Sequence, residues 1–231
     1  MAIAKPIGEC VCSCCCAFHT CHGAALCCRS VASVVMRQLI ITTVAALLGC
    51  TTLWRATDGF RAITAEGARR VQISANPEPV PSVVLETMDG SWQSLNNPDS
   101  PVLLEFIYTT CPTICQTSGG DFAELRDFLL QYNLQVPMFS VSFDPGTDTL
   151  ENMQDYAKWH TATGMPWTVG RPLPQDLEPL LDLFRITVIP DGWGGYQHNV
   201  AVLLINREGA FSGAFDTRDY NAIRAALEKE L

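Results

Sequence analysis

Lysine and arginine are scarce in this chain, 15 against 24 aspartate and glutamate, which leaves a formal charge of −9 and an isoelectric point near 4.8. A phosphate backbone would be repelled by that balance rather than neutralised, so nucleic acid is excluded as a partner. Cysteine is almost missing from the main body: of 11 residues, only Cys111 and Cys115 lie beyond residue 50. A disulfide scaffold is therefore excluded there, and the body is a two-thiol domain. No internal repeat, phosphate-binding glycine motif, Ser-His-Asp order or paired-carboxylate pattern is present. With 48% hydrophobic and 17% charged residues in 231, the composition also excludes collagen-like, disordered and multi-span membrane chains.

The remaining cysteines are concentrated at the start. Eight of them, Cys10, Cys12, Cys14, Cys15, Cys16, Cys21, Cys27 and Cys28, precede residue 30 and are joined by His19 and His22. These are zinc or copper ligand types, but their spacing is irregular. Met36-Arg37-Gln38 followed by an apolar run is how an export signal begins, so residues 1–35 read as a leader or mis-called start. From Gln38 to Trp54 run 17 uncharged residues, with Arg37 before and Arg55 after. Residues 36–54 are thus a signal or transmembrane anchor, and Leu47-Leu48-Gly49-Cys50 approximates a lipoprotein cleavage site. Residues 55–81, with Arg55, Arg61, Arg69, Arg70 and then Asn76-Pro-Glu-Pro-Val-Pro81, read as a stalk ending in a stiff linker. The folded unit is expected over residues 82–231, outside the cytoplasm.

Within that unit, Val83–Glu86, Pro101–Thr109 and Val136–Phe143 read as strands, the second an almost continuous apolar run suited to a strand covered on both faces. Helical spacing places a helix from Pro112 or Ser118 to Gln131, and Asp148-Thr-Leu-Glu151 resembles a capping box opening another. Trp167–Gly170 reads as a short strand. A helix around Leu177, Leu180, Leu181 and Phe184 tolerates Pro179 only if that proline lies in its first turn. Asn199–Asn206 and Ala210–Phe215 read as a hairpin around Arg207-Glu208-Gly209, and Tyr220, Ile223 and Leu227 mark a final helix. This order is that of an α/β, thioredoxin-like sandwich with a central mixed sheet.

Chemistry concentrates in Cys111-Pro112-Thr113-Ile114-Cys115, where a buried parallel strand gives way to a helix. A thiol at a helix N-terminus has a lowered pKa and favours thiolate. Cys115 lies one turn on, along the same face. Three intervening residues are one more than the usual redox dithiol has. A soft thiolate pair suits Cu(I) best, with zinc as a competitor. On the motif alone, a metal site and a thiol-disulfide oxidoreductase, with Cys111 attacking and Cys115 resolving, stand level. In the expected fold the strand after His198 lies beside the cysteine strand, and two thiolates and an imidazole then converge as Cys111, Cys115 and His198. A peroxiredoxin-like peroxidase is disfavoured by the lack of a Pro-x-x-x-Thr-x-x-Cys run. His160 reads as an exposed residue of a helix C-terminal turn. Trp193 and Tyr196 read as half-buried loop packing.

Three ordered motifs carry a resemblance: Phe106-Ile-Tyr-Thr-Thr-Cys111-Pro-Thr-Ile-Cys115, Ser142-Phe-Asp144-Pro with Asp148-Thr149, and Gly195-Tyr-Gln-His198-Asn before an apolar strand and Asn206-Arg-Glu-Gly209. Over about residues 80–231 the chain resembles the Sco/SenC family. The resemblance implies a membrane-tethered, thioredoxin-fold copper chaperone serving the binuclear copper site of cytochrome c oxidase subunit II. It implies Cys111, Cys115 and His198 as copper ligands, for Cu(I) and also Cu(II), and Asp144 as an acidic residue that orients a ligand or partner. It further implies a domain in the periplasm held at the inner membrane, and an assembly factor rather than a turnover enzyme. Gln116 stands where many members have a second proline, and Gln197 where many have aspartate, which leaves the recognised partner open.

Overall fold

The computed structural model describes residues 24–60, 62–96, 100–110, 114–193 and 195–231, without the side chains of 24–32 and 114–116. Two compact units divide at residue 60. Among its described residues the first contains one helix, α1 (Ala24–Ala56), whose stretch Ser33–Ala56 has a mean hydropathy of 1.7, is wholly exposed, and is long and apolar enough to cross a membrane. Cys50 is an exposed free thiol on this helix.

The second unit begins at Arg61. Inside the stretch read as a stalk it forms a helix, α2 (Ala65–Ala75), capped by Thr64, whose hydroxyl accepts the Gly67 amide at 2.9 Å. Ile73 is buried, and Arg70 bridges Glu66 and Asp216 at 2.8 and 2.7 Å. A single buried side chain gives this helix little apolar periodicity, so its sequence resembles a linker although it packs on the domain.

The elements that follow are β1 (Glu78–Pro79), β2 (Val84–Thr87), β3 (Trp92–Ser94), β4 (Val102–Ile107), α3 (Ile114–Gln131), β5 (Met138–Ser142), α4 (Leu150–His160), β6 (Trp167–Pro172), α5 (Pro174–Phe184), β7 (Val188–Pro190), β8 (Tyr196–His198), β9 (Val202–Ile205), β10 (Ala210–Phe215) and α6 (Tyr220–Glu230). The main sheet has the order β1-β10-β9-β4-β5-β6-β2-β3; β4, β5 and β6 are parallel and the other pairings antiparallel. It is the mixed sheet of a thioredoxin-like fold. Strands β4, β5 and β9 are buried along their whole length, which explains why they are mostly apolar, with Glu105, Ser140 and Ser142 as the buried polar exceptions.

Pro179 is not in a first turn. The helix α5 starts earlier, at Pro174, whose fixed φ suits that position, so Pro179 sits inside the helix. His160, expected at the surface, is buried, because the last turn of α4 lies against α3. Its ring packs at a tilt against Tyr156 with centroids 4.5 Å apart, and burial lowers its pKa. Gly119 of α3 makes that approach possible: a β-carbon there would strike the Tyr156 hydroxyl and lie 2.8 Å from His160 Nε2. Gly119→Ala therefore gains helix propensity of about 1 kcal/mol but meets an overpacking penalty of about 1–3 kcal/mol. A lower Tm is expected, with part of the loss recovered by adding Tyr156→Phe; an unchanged melting curve would show that the two helices move apart freely.

Candidate metal centre

Strand β4 and helix α3 meet where the two cysteines lie. Cys111 falls outside the described residues; Cys115 is the second residue of α3 and is described in its backbone. Among the described side chains no cluster of three histidine, cysteine or acidic groups forms a metal site. The placement of His198 relative to the cysteine edge follows from register. Val102 pairs with Ile205 and Leu104 with Leu203, so β9 runs against β4 and its start lies where β4 ends. His198 is four residues before Val202, at that edge.

His198 belongs to β8, which pairs with β7 through Val188 opposite His198. The anchor of this ribbon is Tyr108, three residues before Cys111. Its hydroxyl donates to the Tyr196 carbonyl and accepts the Tyr196 amide, each at 3.3 Å. The two tyrosine rings meet edge to face at 5.3 Å, and the His198 ring stands 4.9 Å from Phe143 and 6.4 Å from Tyr108. Tyr196 is thus half-buried packing, as its sequence context suggested, whereas Trp193 is 93% exposed. The loop turns around Asp191, whose carboxylate accepts the amides of Trp193 and Gly195 at 2.7 and 2.9 Å, and this directs the indole outward.

Next to the histidine, Asn199 accepts the Thr187 amide at 2.7 Å and donates to the Arg185 carbonyl at 3.1 Å, tying the ribbon to the end of α5. Burial among the aromatic rings pushes the His198 pKa below its usual value, so the imidazole is neutral, the form that ligates metal. Its Nδ1–H donates to the Asn199 carbonyl at 3.3 Å, which places the lone pair on Nε2.

The segment carrying Asp144 reaches the same edge from β5. Its backbone turns on itself: the Asp144 amide donates to Ser142 Oγ at 3.1 Å, and the Asp144 carbonyl accepts the amides of Thr147 and Asp148 at 3.0 and 2.9 Å. Arg171 pins the turn, donating to the carbonyls of Pro145 and Asp148 at 3.0 and 2.8 Å while pairing with Glu86 at 2.7 Å. Asp144 itself is half-exposed.

Two carboxyl groups near the site were given no site role by sequence. Asp148, which resembled a helix-start residue, is fully buried, and the cap of α4 is Thr149. Both Asp148 oxygens accept the Thr109 amide at 3.1 Å, and the carboxylate also accepts the hydroxyls of Thr109 and of Ser142. Burial raises its pKa. It ties the residue two before Cys111 to the end of β5. Glu105, in the middle of β4, accepts Ser118 Oγ at 2.6 Å and Ser140 Oγ at 2.8 Å, with the Tyr156 hydroxyl at 3.5 Å. Burial pushes its pKa up to about 7. The available signal was a lone acidic residue in an apolar run, opposite Ser140 of the next strand.

Fold and site together define a thioredoxin-like protein in which a Cys-x-x-x-Cys pair at the β4–α3 junction shares one sheet edge with a neutral, hairpin-borne histidine. The SCO1/SenC family model matches residues 88–230, and the chain belongs to that family. It is 26% identical to the SCO1 protein homolog of Bacillus subtilis over 168 residues, 71% of this chain and 84% of that protein. Among solved structures it is similar to BsSco, a member of the Sco family of cytochrome c oxidase assembly proteins in which a disulfide switch was identified, with a TM-score of 0.59 at 22% identity over 67% of this chain and 94% of that one. It is also similar to Bradyrhizobium japonicum ScoI with copper bound, with a TM-score of 0.53 at 22% identity over 66% of this chain and 99% of that one.

Proposed function

We propose that this chain is a membrane-anchored copper-binding assembly factor that holds copper through Cys111, Cys115 and His198 and passes it to the binuclear copper site of cytochrome c oxidase subunit II. The observation that carries the reading is the Tyr108–Tyr196 hydrogen-bonded pair, which fastens the strand of His198 to the segment leading into Cys111. Two thiolates and a neutral imidazole form a soft set suited to Cu(I), and imidazole also serves Cu(II). Copper is the cargo, and ligand exchange moves it without bond-breaking chemistry in the protein. Asp144, in a turn held by Arg171 at the same edge, orients a ligand or the receiving protein. Helix α1 supplies the anchor, with the domain in the periplasm. Copper-bound ScoI of Bradyrhizobium japonicum and the Sco family's association with oxidase assembly support this reading.

The test uses a fragment from Arg55 to Leu231, which omits the eight leading cysteines, titrated with Cu(I) under reducing conditions against a competing chelator. One tightly held copper per chain is expected, with His198→Ala loosening it by roughly a hundredfold. Equal retention by the variant would remove His198 from the ligand set, and no tight copper in the wild type would overturn the proposed function.

A further inference from the structure

Beside the cysteine edge lies a cleft of about 230 Å³, lined by Thr109, Thr110, Asn152, Asp155, Tyr156 and Trp159. Asn152, Asp155, Tyr156 and Trp159 follow one another at i, i+3, i+4 and i+7 and so share one face of α4. Thr109 and Thr110 form the opposite wall and lead directly into Cys111.

The lining is selective in kind. Asp155 contributes a mostly exposed carboxylate, and Trp159 an indole that is 76% exposed. The Asn152 amide nitrogen donates to the Thr147 carbonyl at 3.2 Å, which assigns its oxygen as an acceptor. Among the described residues no cationic side chain lines the cleft. The ammonium of Lys158, one residue from the wall, rests on Asp155 Oδ1 at 2.9 Å, so the carboxylate already receives a cation there. An anion would meet the carboxylate with no compensating lining charge. A plain apolar side chain would leave the acceptors unused.

We propose that this cleft receives an arginine side chain of the protein that docks over Cys111. A guanidinium is planar and weakly hydrated, stacks on an indole face and forks its donors onto a carboxylate, whereas a lysine ammonium does only part of this. The cleft opens one residue from Cys111, so an arginine seated in it fixes the docked surface over the metal-binding edge. That the docked protein receives copper rests on the function proposed above; the cleft's preference for arginine is read without copper, so either can fail alone.

The experiment follows the indole N–H signals of the full chain in detergent micelles, with that of Trp159 assigned by its loss in Trp159→Phe. The probes are N-acetyl-arginine amide, N-acetyl-lysine amide and N-acetyl-glutamate amide. A saturable shift of the Trp159 signal is expected with the arginine probe, weaker with lysine and absent with glutamate. Asp155→Asn should weaken arginine binding about threefold or more, and Lys158→Ala should strengthen it by removing the competing ammonium. A Trp159 signal that does not move, that moves equally with glutamate, or that saturates identically in Asp155→Asn would overturn the proposal.

Discussion

Between pH 4.5 and 7 the stability of the metal-free domain is expected to fall relative to that of Glu105→Gln, by about 3 kcal/mol in total. The cause is burial, which raises the Glu105 pKa from the ordinary 4.5 to about 7. In that interval the folded chain keeps a proton that the unfolded chain has lost, and each further step in pH favours unfolding. The contribution is fully present below 4.5 and gone above 7. Asp148, also raised by burial, acts in the same direction, whereas His160 and His198, both lowered by burial, oppose it at acid pH. Subtracting the variant's curve from the wild type's isolates Glu105. Glutamine suits the comparison because its amide can accept from one serine and donate to the other. Urea unfolding of the Arg55–Leu231 fragment across this range is the measurement. Parallel curves for the two proteins would mean that Glu105 titrates alike in the folded and unfolded chain, and that burial does not raise it.

This carboxyl also explains how the site is supported from below. It joins three elements that each run to the cysteine edge: β4, which leads to Cys111; α3, through Ser118 one turn beyond Cys115; and β5, through Ser140, which also accepts the Trp167 indole N–H at 2.9 Å. The strand and helix were legible in the sequence because continuous apolar runs and helical spacing are strong local signals. The buried glutamate was passed over because one polar residue barely alters the apolar average of a strand, and its partners come from a helix and a neighbouring strand.

The same division between local and tertiary information accounts for the other differences. The sequence assigned His198 to the edge where β4 ends because the β9–β10 hairpin, with its turn at Gly209, has a local signature. The β7–β8 ribbon that holds it was missed, since strands of three residues are stabilised by Tyr108, Asn199 and Asp191 rather than by their own pattern. Helix α2 was read as a stalk because its docking rests on Ile73 and the Arg70 ion pairs. His160 was assigned to the surface because a helix C-terminal turn usually is exposed, and only Gly119 on another helix reveals the close packing that buries it.

Removing the Asp148 carboxylate is expected to damage both stability and copper retention. Asp148 is buried without exposure and gathers the Thr109 amide, the Thr109 hydroxyl and the Ser142 hydroxyl. In Asp148→Ala those donors lose their acceptor in the interior, at a cost of about 2–4 kcal/mol. The Thr109 backbone then loses its tie to the end of β5, and Cys111 follows two residues later. A group that orients ligands without touching metal typically changes affinity by about tenfold to a hundredfold, so the Cu(I) affinity of Asp148→Ala should fall by that amount. Asp148→Asn keeps an acceptor for the Thr109 amide and turns the other end into a donor to a hydroxyl, so its losses should be smaller in both measurements. The pair of variants separates two roles: if Asp148→Ala unfolds more easily but holds copper as firmly as wild type, the carboxylate supports the fold alone. Loss of copper affinity in a variant that is still folded at the assay temperature identifies it as a residue that positions Cys111 for metal.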